Sequence, residues 1–212
     1  MGTEDLYPRL YDGVIKGKRK DVVAACEEGL KAGVAGKDML NLGLLKGMEE
    51  VGRRFRGGEY FIPEVLVAAR SLNAGVEVLK PDLLKNPAPR VGLVLLGTVA
   101  GDLHDIGKNL VSMMMTGVGF EVLDLGIDVS AQKFVAAALE RKPEAVALSA
   151  LLTTTMVNMK EVVAELRKAG YAGKIIVGGA PVTLEFAQKI GADLYAADAA
   201  EGAEKLRGSL AA

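Results

Sequence analysis

Residues 97–109, GTVAGDLHDIGKN, concentrate side chains that can bind a metal or move a proton. They include His104, the only histidine among 212 residues, and Asp102 two positions before it. Side chains two apart in an extended loop point the same way, so Asp102 can hydrogen-bond one ring nitrogen of His104. Such a carboxylate fixes the tautomer of a metal-binding histidine and raises its basicity. Gly107 allows the backbone to turn into a following helix.

A phosphate-binding loop is disfavoured at this position, although GDLHDIGKN superficially resembles one. Five residues separate Gly101 from Gly107 where the motif needs four, and Asn109 stands where the motif needs Ser or Thr. The two aspartates, Asp102 and Asp105, would also repel a phosphate.

Other kinds of site are compatible with the loop to different degrees. A zinc site needs three or four ligands, and the chain has one histidine and one cysteine, Cys26, far apart in sequence. Nucleophilic catalysis with Ser149 is conceivable, but there is no G-x-S-x-G elbow. Two interpretations stay open: a histidine that only hydrogen-bonds within its loop, and a single axial ligand to the metal of a macrocycle.

Before residue 90, apolar residues recur with helical periodicity. Four amphipathic segments separated by glycine predict four helices, and the last carries one apolar stripe: Ile62, Val65, Leu66, Ala69 and Leu72. The segment LLKNPAPRVG contains Pro87 and Pro89 and predicts a linker. We therefore expect a helical cap domain over residues 1–86 and a second domain over residues 87–212.

Five short apolar runs alternate with amphipathic segments in the second half. Such runs are typical of strands buried on both faces of a parallel sheet, so the pattern predicts a doubly wound five-stranded α/β domain of Rossmann or flavodoxin type. Ligands bind such sheets beyond the carboxyl ends of the strands. His104 follows the first strand. By analogy with the strand order 2-1-3-4-5, Ser149 would face it from the end of the third.

Composition excludes several classes of protein. Half the residues are hydrophobic, and the net charge is −1 with no basic patch, so we expect a packed core and no nucleic-acid partner. The opening MGTEDLYPRL has no apolar run and does not resemble a signal peptide. No apolar stretch is long enough to cross a bilayer, which needs about 18 residues. We expect a cytoplasmic protein without a membrane partner.

Three motifs, in order, resemble the signature of cobalamin-binding domains. They are DLHDIG, which fits D-x-H-x-x-G, then SALLTTTM from Ser149, and GGAP from Gly178. Residues 47–81 are similar to the helical cap that precedes this domain in methionine synthase and in the corrinoid proteins of methyltransferase systems. The resemblance covers nearly the whole chain.

The resemblance implies a mechanism and a set of site residues. Cobalamin or a related corrinoid would bind with its own base displaced, and His104 would be the lower ligand of cobalt. Asp102 and then Ser149 would form a proton relay from His104. The cobalt would take a methyl group from a substrate and pass it to a folate or a thiol.

The remaining implied cofactor contacts lie in the loops after the strands and in the cap. The positions that match are Asp105, Ile106, Gly107, Leu151, Thr153, Thr154, Gly178, Gly179 and Ala180, with Phe55, Ile62 and Val65 covering the upper face. Gly107, Leu151, Gly178 and Gly179 would line a slot for the nucleotide tail. The three threonines, residues 153–155, would otherwise cap the next helix. The linker prolines would be the hinge of a moving cap.

The function that this resemblance implies is a methyl carrier, incomplete as an enzyme by itself. Its partners would be a substrate-specific methyltransferase, an acceptor methyltransferase and a reductive activator. The methyl donor would be a methylamine, methanol, betaine or a methyl ether. Two alternatives stay open. A cobalamin sensor would change its oligomeric state with light or ligand, and a subunit of a carbon-skeleton mutase would prefer the adenosyl form of the cofactor.

Overall fold

The structure is a computed structural model that describes residues 5–85 and 91–210. The chain divides into two compact units, Met1–Pro89 with Gly117–Gly119 and Arg90–Thr116 with Phe120–Ala212. Pro87 and Pro89 lie outside the described residues, so the hinge stays a prediction, as do the domain boundaries. Within the described ranges, no helix combines the length and the apolar character that a membrane span requires.

The helical unit contains the four predicted helices. They are α1 Leu6–Ile15, α2 Arg19–Lys31, a third helix made of α3 Gly36–Met39, a π-helical turn Leu40–Leu44 and α4 Leu45–Arg56, and finally α5 Ile62–Lys85. Side chains at three- and four-residue spacing meet in the centre of the unit. Leu10, Val22, Val51 and Leu72 are among those with almost no exposed surface. The predicted bundle is confirmed, and the π turn inside its third helix was not expected.

A charged cluster lies where α4 ends. Glu50 accepts hydrogen bonds from Nε of Arg53 and Nε of Arg54, each at 2.7 Å. The Arg54 guanidinium also lies over the Tyr60 ring, 5.3 Å from its centroid. The Tyr60 hydroxyl donates to the carbonyl of Ile15 at 3.2 Å. Because the acceptor belongs to α1, this last bond ties the loop after α4 to the first helix.

The α/β unit is built on five parallel strands. These are β1 Gly92–Thr98, β2 Phe120–Asp124, β3 Ala145–Ser149, β4 Lys174–Gly178 and β5 Leu194–Ala196, with α6 Ile106–Gly117, α7 Ala131–Arg141, α8 Thr153–Met156, α9 Asn158–Lys168, α10 Leu184–Ile190 and α11 Ala199–Leu210 between or after them. The strand order is β2-β1-β3-β4-β5, as expected. All seven residues of β1 are buried, which explains its continuous apolar sequence.

The register of the sheet sets the position of the loops. Thr98, at the end of β1, pairs with Ser149 at the end of β3, and Ser149 pairs with Gly178 at the end of β4. The loops after these three strands therefore begin at one level of the same edge. The strand order reverses between β1 and β3, which is where doubly wound sheets bind ligands.

Candidate functional site

The loop between β1 and α6 forms hydrogen bonds within itself and with the end of its strand. The N–H of Asp102 donates to the carbonyl of Val99 at 3.1 Å, and Gly101 has a φ of +78°, which glycine adopts without strain. The Thr98 hydroxyl donates to the carbonyl of His104 at 2.9 Å. The turn that carries Asp102 and His104 is thus tied back to the end of its strand.

The Asp102 carboxylate is the centre of the site. Its side chain has no exposed surface. Oδ1 lies 2.8 Å from Nδ1 of His104 and accepts the backbone N–H of the same residue at 3.1 Å. Oδ2 accepts the N–H of Leu151 at 2.8 Å and the hydroxyl of Thr155 at 2.6 Å. A buried carboxylate without partners would be very costly, and here both oxygens are fully bonded.

These hydrogen bonds decide the charge of Asp102. Burial by itself raises the pKa of the carboxyl, but the bonds from Thr155, Leu151 and His104 together outweigh burial and hold the pKa well below its ordinary value of 3.8. An ionised carboxylate can only accept hydrogen bonds. In the neutral imidazole Nδ1 of His104 must then carry the proton, which leaves the Nε2 lone pair available to a metal.

Large apolar side chains are exposed around the histidine loop. Half of the His104 side chain is exposed, and its neighbours Leu103 and Ile106 are 68% and 69% exposed. Leu151 and Leu152, in the loop after β3, are also more than 40% exposed. Exposed apolar side chains beside one polar ligand are typical of a cofactor site.

The structure changes the third member of the expected relay. Among the described residues, the side chain that extends the pair of His104 and Asp102 is Thr155, and Ser149 is not a donor to Asp102. Ser149 ends β3, whereas Thr155 lies in α8, where its hydroxyl reaches the carboxylate. Thr155 thus occupies the position in the relay that was expected for Ser149, and a relay through Ser149 stays a prediction. Contact of Ser149 with a cofactor stays a prediction.

A periodic signal could have identified Thr155. It precedes Met159 by four residues and belongs to the same buried stripe of α8 and α9, with Met159, Val162 and Leu166. A hydroxyl at a core position needs a buried partner. The expected capping role of the threonines is also wrong, because the N-cap of α8 is Leu152 and no side chain caps it. Thr153 and Thr154 are exposed, and their contacts with a cofactor stay predictions.

The glycines expected to line a slot differ from one another. A Cβ on Gly179 would lie 1.9 Å from the carbonyl oxygen of Ala150, and its φ is +132°, so no side chain fits there. A Cβ on Gly178 would lie 3.0 Å from the carbonyl oxygen of Ala196, whereas one on Gly107 would meet nothing within 4 Å. Backbone packing explains Gly179, and open space surrounds Gly107.

The other expected contact residues occupy varied surroundings. Asp105 and Ala180 are exposed, and the Asp105 carboxylate accepts the side-chain amide of Asn109 at 3.3 Å. In the helical unit, Ile62 is 40% exposed and Phe55 is half-buried. Val65 has no exposed surface, as is typical of a core residue. The contacts expected for these five residues stay predictions.

Two groups near the histidine loop had no role in the sequence analysis. Lys108 is 3% exposed, and its ammonium group forms an ion pair with Asp124 and donates to Oδ1 of Asn109 at 2.8 Å. Lysine is rarely so buried, and nothing in the sequence distinguishes it from a surface lysine. The second group is Asp128, in the loop after β2, which accepts the N–H of Gly101 at 2.7 Å.

Two different family models match the two halves of the chain. Residues 92–206 match the model of the B12 binding domain. Residues 6–80 match a second family model, also described as a B12 binding domain. The second match lies within the helical unit, and the first begins at β1.

Individual relatives cover all or nearly all of the chain. It is 40% identical over 211 residues to trimethylamine corrinoid protein 1 of Methanosarcina mazei, with 98% of both chains covered. It is 42% identical over 215 residues to the dimethylamine corrinoid protein of Methanosarcina barkeri, with both chains fully covered. Among solved structures, a chain of the methanol:cobalamin methyltransferase complex MtaBC from M. barkeri matches with a TM-score of 0.88 and 30% identity, covering 99% of this chain and 81% of that one.

Proposed function

Because this chain belongs to the family of corrinoid proteins of methyltransferase systems, we propose that it carries the methyl group of a methylamine from a partner methyltransferase to an acceptor. Similarity supports an amine as the methyl donor. The trimethylamine and dimethylamine corrinoid proteins are 40% and 42% identical to the chain, and the chain of the methanol complex is 30% identical.

The described residues fit a corrinoid. The macrocycle provides most of the ligands of its metal and needs one axial donor from the protein. His104 offers one, because its Nδ1 is held at 2.8 Å by Asp102 and half of its side chain is exposed. The exposed leucines Leu103, Leu151 and Leu152 offer apolar surface for the rim of the ring. A bound corrinoid would supply a cobalt centre that accepts and donates a methyl group.

The single observation that supports this proposal best is the bonding of the Asp102 carboxylate. Asp102 keeps the proton on Nδ1 of His104, and Nε2 is then the nitrogen that would bind cobalt. Thr155 and the N–H of Leu151 hold the other carboxylate oxygen, so the carboxylate cannot rotate away from the ring. We propose His104, Asp102 and Thr155 as the relay that adjusts the proton on the imidazole.

The remaining roles rest on the family resemblance. Gly107, Gly178 and Gly179 would border the nucleotide tail, with Leu151 beside them. Phe55 and Ile62 would cover the upper face of the ring. An acceptor methyltransferase for a folate or a thiol and a reductive activator would complete the system, and the cytoplasm is the expected compartment.

The experiment that tests this function uses the purified protein loaded with cobalamin. We expect the cofactor to stay bound through gel filtration. After reduction, trimethylamine or dimethylamine and the matching Methanosarcina methyltransferase should produce the absorption spectrum of the methylated cofactor. His104→Ala should lower cofactor retention, and methanol with its own methyltransferase is the control for substrate class.

Three results would contradict the proposal in different ways. Loss of cobalamin on gel filtration would contradict the cofactor assignment in this chain. Methylation from methanol alone would contradict the choice of an amine. Retention without methylation by any donor would favour one of the alternatives, a sensor if light or ligand changes the oligomeric state, or a mutase subunit if the adenosyl form binds more tightly.

A further inference from the structure

The turn that carries Asp102 is held from outside by the loop between β2 and α7. Oδ1 of Asp128 accepts the N–H of Gly101 at 2.7 Å. The N–H of Asp128 donates to the carbonyl of Asp102 at 3.1 Å. One residue therefore binds the backbone on both sides of the peptide that joins Gly101 to Asp102.

The backbone of Asp128 is unusual, with a φ of +52°. Among the described residues other than glycine, only Asp128 and Lys142 have positive φ. Lys142 follows the last turn of α7, where the left-handed conformation is common. Asp128 adopts the conformation inside a loop, where aspartate tolerates it better than most residues do. A glycine would adopt it without strain but would have no carboxylate for Gly101.

Further bonds fix this loop to the end of β1. The N–H of Thr98 donates to the carbonyl of Gly126 at 3.0 Å, and the N–H of Val129 donates to the carbonyl of Thr98 at 2.9 Å. Val99 and Val129 form an isolated parallel bridge. Asp128 thus lies on a segment that is fixed to the end of β1. Its own hydrogen bonds to Gly101 and Asp102 in turn fix the turn relative to the sheet.

We infer that Asp128 is a positioning residue for His104. It fixes the peptide between Gly101 and Asp102, the peptide sets the direction of the Asp102 carboxylate, and the carboxylate orients the imidazole. The consequence for cobalt binding rests on the proposed function. The consequence for the ring itself does not, because it concerns the protein without cofactor.

The first readout is the ring ¹⁵N chemical shifts of His104 in the apoprotein, which need no assignment because there is one histidine. The wild type should show the Nδ1–H tautomer. Asp128→Gly keeps the backbone conformation and removes the carboxylate, so we expect the two tautomers to mix and the two ring shifts to converge. Asp128→Asn keeps an oxygen that can accept the N–H of Gly101 and should restore the wild-type shifts.

The second readout is the affinity for Co(II) cobalamin. Asp128→Gly should bind about fivefold more weakly, the ratio that the loss of one net hydrogen bond produces. Lys142→Gly is the matched control, because it replaces the other residue of positive φ far from the loop in sequence. It should leave both readouts unchanged. If Asp128→Gly unfolds, Asp128→Ser, whose hydroxyl is too short to hold Gly101 in the same way, takes its place in both measurements.

Three results would overturn the inference: wild-type ring shifts and affinity in Asp128→Gly, failure of Asp128→Asn to restore them, or an equal change in Lys142→Gly. Failure of the proposed function looks different. A wild-type protein that binds no cobalamin would contradict that function, and the apoprotein ring shifts would still decide the role of Asp128.

Discussion

Two carboxylates, one in each unit, have strongly lowered pKa values for different physical reasons. In the helical unit, hydrogen bonds and charge from Arg53 and Arg54 lower the pKa of Glu50 to about 2. In the α/β unit, the pKa of Asp102 is lowered although no guanidinium or ammonium group is among its causes. Its donors are the neutral hydroxyl of Thr155, the backbone N–H of Leu151, and His104.

Glu50 and Asp102 illustrate two ways in which a protein can keep a carboxyl group ionised. Partners of opposite charge do so near the surface, where salt and side-chain motion weaken the interaction. Aligned neutral donors do so in the interior, where the bonds are stronger and also fix direction. In this chain the second arrangement is the one that holds an imidazole, that of His104. Asp102 thus binds both Nδ1 and the backbone N–H of His104, whereas Glu50 binds two arginines at the end of a helix.

Loss of the carboxylate should have the largest effect on stability in the α/β unit. Asp102→Asn places an amide against donors that need an acceptor, and we expect a loss of about 3 kcal/mol, because each unsatisfied buried group costs about 1–3 kcal/mol. Glu50→Gln should cost several-fold less, since surface ion pairs contribute little. Urea unfolding of both variants measures the two losses. Equal losses would contradict the distinction between the two sites.

Thr155→Val is the next largest expected change. It removes one hydrogen bond to a buried charge and should lower the free energy of unfolding by about 1.5–3 kcal/mol. Thr155→Ser keeps the hydroxyl and should recover most of that loss. Denaturation curves of the two variants at neutral pH provide the test. A valine variant as stable as the wild type would show that the bond at 2.6 Å has no energetic weight.

At low pH, Asp102 should no longer contribute to the stability of the folded protein. Its folded pKa lies below the ordinary value of 3.8, so below that pH the unfolded chain takes up a proton that the folded chain does not. The contribution is therefore fully present above pH 3.8 and is lost as the pH falls towards the folded value. The stability gap between wild type and Asp102→Asn should narrow over this window in unfolding curves recorded at successive pH values. If the difference in stability grew as the pH fell, the pKa of Asp102 would have to be raised in the folded protein, not lowered.

Salt should produce the smallest effect and distinguish the two carboxylates. At about 1 M ionic strength the screening length falls to about 3 Å. The pKa of Glu50 should then rise from about 2 towards 4.5, while the pKa of Asp102 should move less because its donors Thr155 and Leu151 are neutral. NMR titration of both carboxyl groups at low and high salt tests this, and a parallel rise in both would show that charge also governs Asp102.

Much of the fold could be predicted because the apolar residues of its helices and strands follow simple patterns. Helical spacing identified all four helices of the first unit, and continuous apolar runs identified the buried strands. The strand order came from analogy with other doubly wound sheets, since parallel pairing joins residues that no local pattern connects. The π-helical turn Leu40–Leu44 was missed because its sequence continues the period of an ordinary helix.

Only those contacts of the site that join residues close together in the sequence could be predicted. The pair of His104 and Asp102 is two residues apart, and extended geometry alone brings it together. Leu151 and Thr155 lie 49 and 53 residues after Asp102, so only the register of β1 against β3 makes them its partners. Asp128 reaches Gly101 from a neighbouring loop in the same way. The family resemblance implied Ser149 for the relay, and the analogy with other doubly wound sheets placed it at the end of β3, facing His104.

The most direct test of the account asks which nitrogen binds cobalt. Protein uniformly labelled with ¹⁵N would be loaded with unlabelled cobalamin and reduced to Co(II), and its EPR spectrum recorded. Because His104 is the only histidine, an axial histidine signal reports on that residue alone. We predict doublet splitting from ¹⁵N. Triplet splitting from ¹⁴N would mean that the cofactor keeps its own base, and the role assigned to His104, Asp102 and Thr155 would then be wrong.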